Sequence, residues 1–239
     1  MEKINYLLGY NNIKIFQDTD WFNFSLDSIL LPNFVKLKKN VKEILDIGSG
    51  NAVIPIILST KTDASITGIE IQKDVYELGI KSLEFNNLQD RIKWINDDVK
   101  EFSKNQESDQ YDLITCNPPY FKIDENSNIN DDIHKQIARH EITLCLEDII
   151  KIGRKLLKNG GSLVFVHRPE RLIEIIETMR KNNIEPKRIR FVYPKQGKNA
   201  NILLIEGVKD GSVGVKIEEP LYTYNENGNY TEEILSYFS

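Results

Sequence analysis

At 239 residues, 40% of them hydrophobic and 28% charged, the chain can bury the core of one full α/β domain and matches ordinary globular composition. No apolar run nears the ~20 residues a membrane span needs, and the first residues lack the basic-then-apolar pattern of a secretion signal. Cys116 and Cys145 have neither metal spacing nor a disulfide framework, which fits a reducing cytoplasm. The net charge of −5 argues mildly against a nucleic-acid partner, but residues 151–200 hold 13 lysines and arginines against 4 acidic residues. That window is either a basic face for a polyanion or the solvated side of two helices.

In chain order, residues 12–16 and 21–24 read as β pieces around the polar Gln17-Asp18-Thr19-Asp20, a hairpin ahead of the main domain. Ser25 is placed to cap a helix through Leu26, Ile29, Leu30 and Phe34, which Pro32 complicates. Phe24 and Asp27 stand where a lid over a cofactor would form, or serve as core packing and capping.

Residues 43–47 form a strand, and Asp46-Ile47-Gly48-Ser49-Gly50-Asn51-Ala52 is the turn from it into the apolar helix 53–59. Glycine allows the tight turn and the close approach of a ligand. Val53 occupies the place of the third glycine in the dinucleotide fingerprint, so the loop departs from that pattern. Asp46 would repel a pyrophosphate and attract an ammonium group, directly or through water.

The strand 65–69 ends in Glu70, where an acidic residue accepts from both ribose hydroxyls, and Ile71 is placed to pack on an adenine. Amine and ribose together point to S-adenosylmethionine. After a helix over 74–86 and a strand over 91–95 comes Asn96-Asp97-Asp98-Val99. One aspartate, Asp98 by preference, is expected on the adenine amino group, and the other caps the helix near 99–102.

The buried strand 111–116 delivers Asn117-Pro118-Pro119-Tyr120, with Phe121 directly after. Two prolines fix the backbone, so Asn117 is held just past a carboxyl strand end, where open α/β sheets bind ligands. An Asn oxygen, the Pro118 carbonyl and the ring of Tyr120 make a receptor for a planar NH2 group. Asp46, Glu70, Asp98 and Asn117 thus share one edge of a parallel sheet.

Residues 122–136 are polar and read as a lid or an idle surface loop; Arg139 and His140 follow, placed to meet a phosphate. His134, His140 and His167 lack metal-ligand spacing, and no metal is expected. A helix over 147–157 closes at Asn159-Gly160-Gly161, and a fifth strand follows over 162–166. Arg168-Pro169-Glu170-Arg171 opens a helix to 182. Residues 187–192 and 202–207 read as an antiparallel pair at the sheet edge, joined by the basic loop from Tyr193 and Pro194 to Lys195 and Lys198. Arg168, Arg171, Lys195 and Lys198 are the candidate contacts to a polyanion backbone, which would be RNA under the resemblance that follows.

These motifs make the chain resemble class I S-adenosylmethionine-dependent amino-methyltransferases. The stretches 24–31, 46–51, 117–121, 138–141 and 167–172, and the ending around Gly228-Asn229-Tyr230-Thr231, resemble the bacterial tRNA adenine-37 N6-methyltransferases, which modify valine tRNA beside the anticodon. The resemblance implies a Rossmann-like α/β fold: a seven-stranded, mostly parallel sheet with an antiparallel edge hairpin and helices on both faces. Residues 1–40 would be an N-terminal extension and 41–239 the methyltransferase domain. It also implies Asn117, Pro118 and Tyr120 at the target base, with Asp46, Gly48, Gly50, Glu70 and Asp98 around the cofactor; Ser49, Asn51, Ile71 and Val99 adjoin that set. Ala52 sits where relatives often have glycine. The rival readings are a protein-glutamine methyltransferase acting on release factors and a noncatalytic RNA- or cofactor-binding module.

Overall fold

The computed structural model describes residues 2–6, 13–18, 25–118 and 144–238. Of the expected site residues, Pro119, Tyr120, Phe121, Arg139 and His140 lie outside this set, as do residues 21–24 and the segment 122–136.

Strand β1 (Glu2–Tyr6) pairs antiparallel with β2 (Lys14–Asp18). The expected hairpin turn at Gln17 and Asp18 is therefore corrected: both lie in β2, Gln17 is buried, and the partner strand comes from upstream. Helix α1 (Asp27–Phe34) follows, capped at Leu26 rather than Ser25, with Pro32 inside it. Its residues Ile29, Leu30 and Leu31 are almost fully buried, so packing overrides the proline's lost hydrogen bond.

Among the described residues, five strands then alternate with four helices. They are β3 (Glu43–Ile47), α2 (Val53–Ser59), β4 (Ser65–Glu70), α3 (Lys73–Phe85), β5 (Ile92–Asn96), α4 (Val99–Lys104), β6 (Tyr111–Cys116), α5 (Leu146–Leu156) and β7 (Leu157–His167). A short 3-10 turn (Pro169–Arg171) leads into α6 (Leu172–Lys181), then come β8 (Ile184–Tyr193) and β9 (Ile202–Lys209). The two-residue strands β10 (Lys216–Ile217) and β11 (Leu221–Tyr222) and the helix α7 (Glu232–Ser236) close the chain.

The main sheet runs β10-β8-β9-β7-β6-β3-β4-β5, with β11 also on β8. Its seven long strands match the expected sheet; β10 and β11 extend it to nine. Only β9 is antiparallel. A helix layer covers each face. One buried cluster joins α1 and α2 to the sheet, and the other joins α4, α5 and α6 to it.

The end of α5 also differs from expectation. Gly160 and Gly161 do not cap it; the helix stops at Leu156 and Leu157 is already extended. Gly160, with φ +77°, sits in a bulge where β7 gains residues against β6.

Trp94 on β5 shows how sequence sets this packing. Its indole lies between Gly68 of β4 and Gly79 of α3, and a Cβ on either would come within 2.3 Å of the ring. The Trp94 N–H donates to the Tyr76 carbonyl at 3.0 Å. Gly79→Ala gains about 1 kcal/mol of helix propensity, but a ring already backed by Gly68 has no room to retreat, and overpacking costs ~1–3 kcal/mol. A net loss of up to about 2 kcal/mol is expected from urea unfolding of this variant.

Candidate active site

Sheet order reverses between β3 and its neighbours β4 and β6, the switch point at which α/β sheets hold ligands. Gly48 and Gly50 have φ of +65° and +60°, and a Cβ on either would meet no atom within 4 Å. Their glycines are needed for backbone conformation, and the space beside them is open. Ala52 takes the left-handed conformation too, at φ +74°, a strained position for a residue with a Cβ.

Around that loop the expected cofactor residues fall into two groups. Glu70 is buried, and its two oxygens accept from Gly50 N at 2.9 Å and Gln72 N at 2.8 Å. Ile71, beside it, is 43% exposed, as an apolar shelf for a flat ring requires. Ser49 acts on the loop itself, its N–H on the Ile69 carbonyl and its hydroxyl on the Asp46 carbonyl, both at 2.9 Å. The Asn51 amide nitrogen donates to Phe16 O at 2.9 Å and ties the N-terminal hairpin to the loop.

Asp46 is fully buried. Thr115, its register partner on β6, donates to Oδ1 at 2.6 Å, while Oδ2 has no hydrogen-bond partner among the described residues. Burial pushes the carboxyl up to about 7; the Thr115 and Ser49 hydroxyls oppose the rise, and the nearby Glu70 charge adds to it. A buried acceptor lacking a donor fits an amine-bearing ligand. Cys116 is buried, and its thiol is held well above the ordinary value by that burial and by Asp46. It is a small strand residue.

At the third strand end, Asp98 caps α4, its Oδ1 accepting from Lys100 N at 2.8 Å, and Asp97 Oδ1 accepts from Asp98 N at 2.8 Å. Val99 begins that helix and is buried. The cap falls on the aspartate expected to face the adenine; with Oδ1 committed, Asp98 retains Oδ2 for that role.

Asn117 leaves β6 half-buried, and its Nδ2 lies 3.2 Å from Ser28 Oγ, donating to it. Ser28, on α1, is the site residue that sequence reasoning missed. Its cue was a small hydroxyl directly before the apolar run Ile29-Leu30-Leu31, which reads equally as filler. Pro118, Leu144, Cys145, Leu146, Ile149, His167 and Arg171 line a cavity of ≈ 190 Å³ beside this turn. His167 Nδ1 accepts from Arg168 N at 2.8 Å. Burial, helped by the Arg171 charge, depresses the imidazole to about 4, so it is neutral at pH 7, with Nε2 3.4 Å from Arg171 Nη1.

The basic window proves to be largely internally paired. Lys151 pairs with Glu147, Arg154 with Asp210, Lys158 with Asp112, Arg171 with Glu174, Arg180 with Glu185, Arg188 with Glu206 and Arg190 with Glu233. Arg168 donates to Asn201 O at 2.9 Å. Lys195 and Lys198 are exposed and make no ion pair among the described residues. Of the two readings of this window, the solvated helix faces account for much of it, because acidic partners, five of the seven from outside the window, meet its cations.

A glycine loop at the switch point, an acidic residue ending the next strand and an Asn-Pro turn ending β6 define a class I methyltransferase. The chain belongs to the methyltransferase small domain family, whose match spans residues 26–183. A protein of Flavobacterium johnsoniae named tRNA1(Val) (adenine(37)-N6)-methyltransferase is 30% identical over 161 residues, 67% of each chain. One of the same name from Parabacteroides distasonis is 28% identical over 82% of this chain and 81% of its own. Among solved structures, a predicted O-methyltransferase of Agrobacterium tumefaciens superposes with a TM-score of 0.70 at 18% identity, covering 89% of this chain and 97% of that one. That likeness is one of fold.

Proposed function

We propose that this protein transfers a methyl group from S-adenosylmethionine to the N6 amino group of adenine 37 in the anticodon loop of a tRNA, with valine tRNA as the first substrate to test. The observation that supports the reading is Asn117: just past the carboxyl end of β6 its amide nitrogen donates to Ser28 Oγ at 3.2 Å, which leaves Oδ1 as the side chain's acceptor. The names of the relatives supply the nucleic acid and the base.

When bound, S-adenosylmethionine supplies the methyl group on a sulfonium, an electrophile that needs no metal. Asp46 would hold its amine, the Gly48–Gly50 backbone its amino-acid end, Glu70 its ribose, and Asp98 with Ile71 its adenine. Asn117 Oδ1 and the Pro118 carbonyl accept the two hydrogens of the target amine, which turns the nitrogen lone pair toward the methyl carbon. Positioning and fixed dipoles supply the acceleration. No strong base is required, because the proton becomes acidic once nitrogen is alkylated. Tyr120 is assigned the stacking face for the extruded base, and an unpaired loop adenine is cheaper to extrude than one in a duplex.

The test is methyl transfer from labelled cofactor to total bacterial tRNA, followed by nucleoside mass spectrometry. N6-methyladenosine mapping to position 37 supports the proposal; label on a protein glutamine instead would keep the fold and overturn the substrate. Reversing both lysines, Lys195→Glu and Lys198→Glu, should weaken tRNA binding and flatten its salt dependence by about two phosphate contacts. Filter binding between 50 and 200 mM salt reads both effects, and an unchanged slope would remove the loop from the footprint.

A further inference from the structure

Tyr193 ends β8 at the same sheet edge as Asn117, because β8 runs parallel to β6 and β7. The chain then forms the loop carrying Lys195 and Lys198. The C-terminal segment is fastened to this loop through main-chain bonds. Leu221 and Tyr222 pair with Val192 and Tyr193, Thr223 N donates to Tyr193 O at 2.8 Å, and Tyr224 N donates to Pro194 O at 2.9 Å.

Past Tyr224 the chain reverses. Asn225 Oδ1 accepts from Asn227 N and Asn229 N, Gly228 takes a φ of +82°, and Tyr230 returns to bridge Tyr224. Their rings stack, with centroids 5.2 Å apart and planes 11° from parallel. Tyr230 is anchored in turn against Phe238 at 5.9 Å and against the core. Tyr224 remains 40% exposed.

An exposed tyrosine is ordinary by itself, and a stacked pair is explained as a clasp for the turn. Neither accounts for the combination here. A ring held flat by a second ring adjoins Lys195, within a loop whose two lysines have no ion pair among the described residues, although most cations of the 151–200 window do. Aromatic faces interleaved with cations are what sequence-tolerant single-strand recognition uses.

We propose that Tyr224, backed by Tyr230 and flanked by Lys195 and Lys198, stacks an unpaired base of the RNA substrate a few nucleotides from the methylated adenine. Strand β11, from which Tyr224 continues, lies on the outer side of β8 and so four places from β6, or roughly 19 Å at ~4.8 Å per strand, so the platform serves a base a few nucleotides from the target. The proposal rests on the RNA reading above.

The test uses the whole protein and a valine-tRNA anticodon stem-loop. Tyr224→Ala should raise the RNA Kd and the KM about 5- to 100-fold with cofactor affinity unchanged, while Tyr224→Phe should behave like the parent. Adding the stem-loop should quench the indole of a Tyr224→Trp variant, which tests stacking even where alanine loosens the turn. Normal tRNA methylation with an unchanged Kd in Tyr224→Ala and no quenching in Tyr224→Trp would overturn the platform alone. Failure of the parent protein to bind or methylate any tRNA would overturn both it and the reading beneath it.

Discussion

Asn117→Ala should slow methyl transfer by about 100- to 1,000-fold, the scale seen when one preorganised polar contact to a reacting group is removed. The substitution deletes the Oδ1 acceptor and, with it, the bond from Nδ2 to Ser28 Oγ at 3.2 Å. Cofactor affinity should change by no more than about threefold, because the charged and glycine contacts lie on β3 and β4. Single-turnover kinetics with saturating tRNA, alongside calorimetric titration of the cofactor, separates the two quantities. A variant with parental turnover would end the assigned role of the Asn-Pro turn.

The second large effect is expected at Asp46. Its folded-state pKa is about 7, against 3.8 in an unfolded chain, so between those values the native state holds the extra proton. The group's contribution to stability therefore falls as pH rises through that window, and above pH 7 the buried charge costs on the order of 4 kcal/mol. Asp46→Asn removes the charge and keeps an oxygen for Thr115, but buries an amide whose hydrogens cost ~1–3 kcal/mol if unmet. The charge is the larger effect, so the free protein should gain about 1–3 kcal/mol at pH 8 and little at pH 5.

The same variant should bind S-adenosylmethionine about 10- to 100-fold more weakly at pH 7.5, through loss of a charge-assisted bond to the amine. In the parent protein, an ammonium beside Asp46 lowers that carboxyl's pKa, so binding releases a proton and affinity should climb from pH 5.5 to 7.5. Titration calorimetry in buffers of different ionisation enthalpy reports both the affinity and the proton. A flat profile would place the amine elsewhere.

The five central strands were legible because buried apolar runs bounded by glycine, proline or aspartate have few other ways to fold; the ends of four moved by a residue or so, while β7 begins five residues before the expected start. The placement of Asp46, Glu70 and Asn117 was legible for the same reason, since each stands at or beside the end of such a run. What could not be read was pairing at a distance. The N-terminal strand found its partner upstream, and α5 passed directly into β7, leaving Gly160 for a bulge instead of a cap. Charge counting failed similarly: a window sum cannot see that Glu206 of β9 faces Arg188 of β8. Nor could the sequence show that Asn51 of the glycine loop donates to the Phe16 carbonyl of a separate strand.

The position of β9 bears on how the protein is made. Strand β8 is synthesised first but lies outside β9, which is the strand that touches β7. Until residues 202–209 emerge, β7 presents an unpaired edge and β8 has no place in the sheet, although the glycine loop and the Asn-Pro turn are already in the nascent chain. The last third of the polypeptide therefore seals the sheet built by the first two thirds. A ribosome pausing shortly before residue 202 would hold the chain with open strand edges, the state most exposed to aggregation.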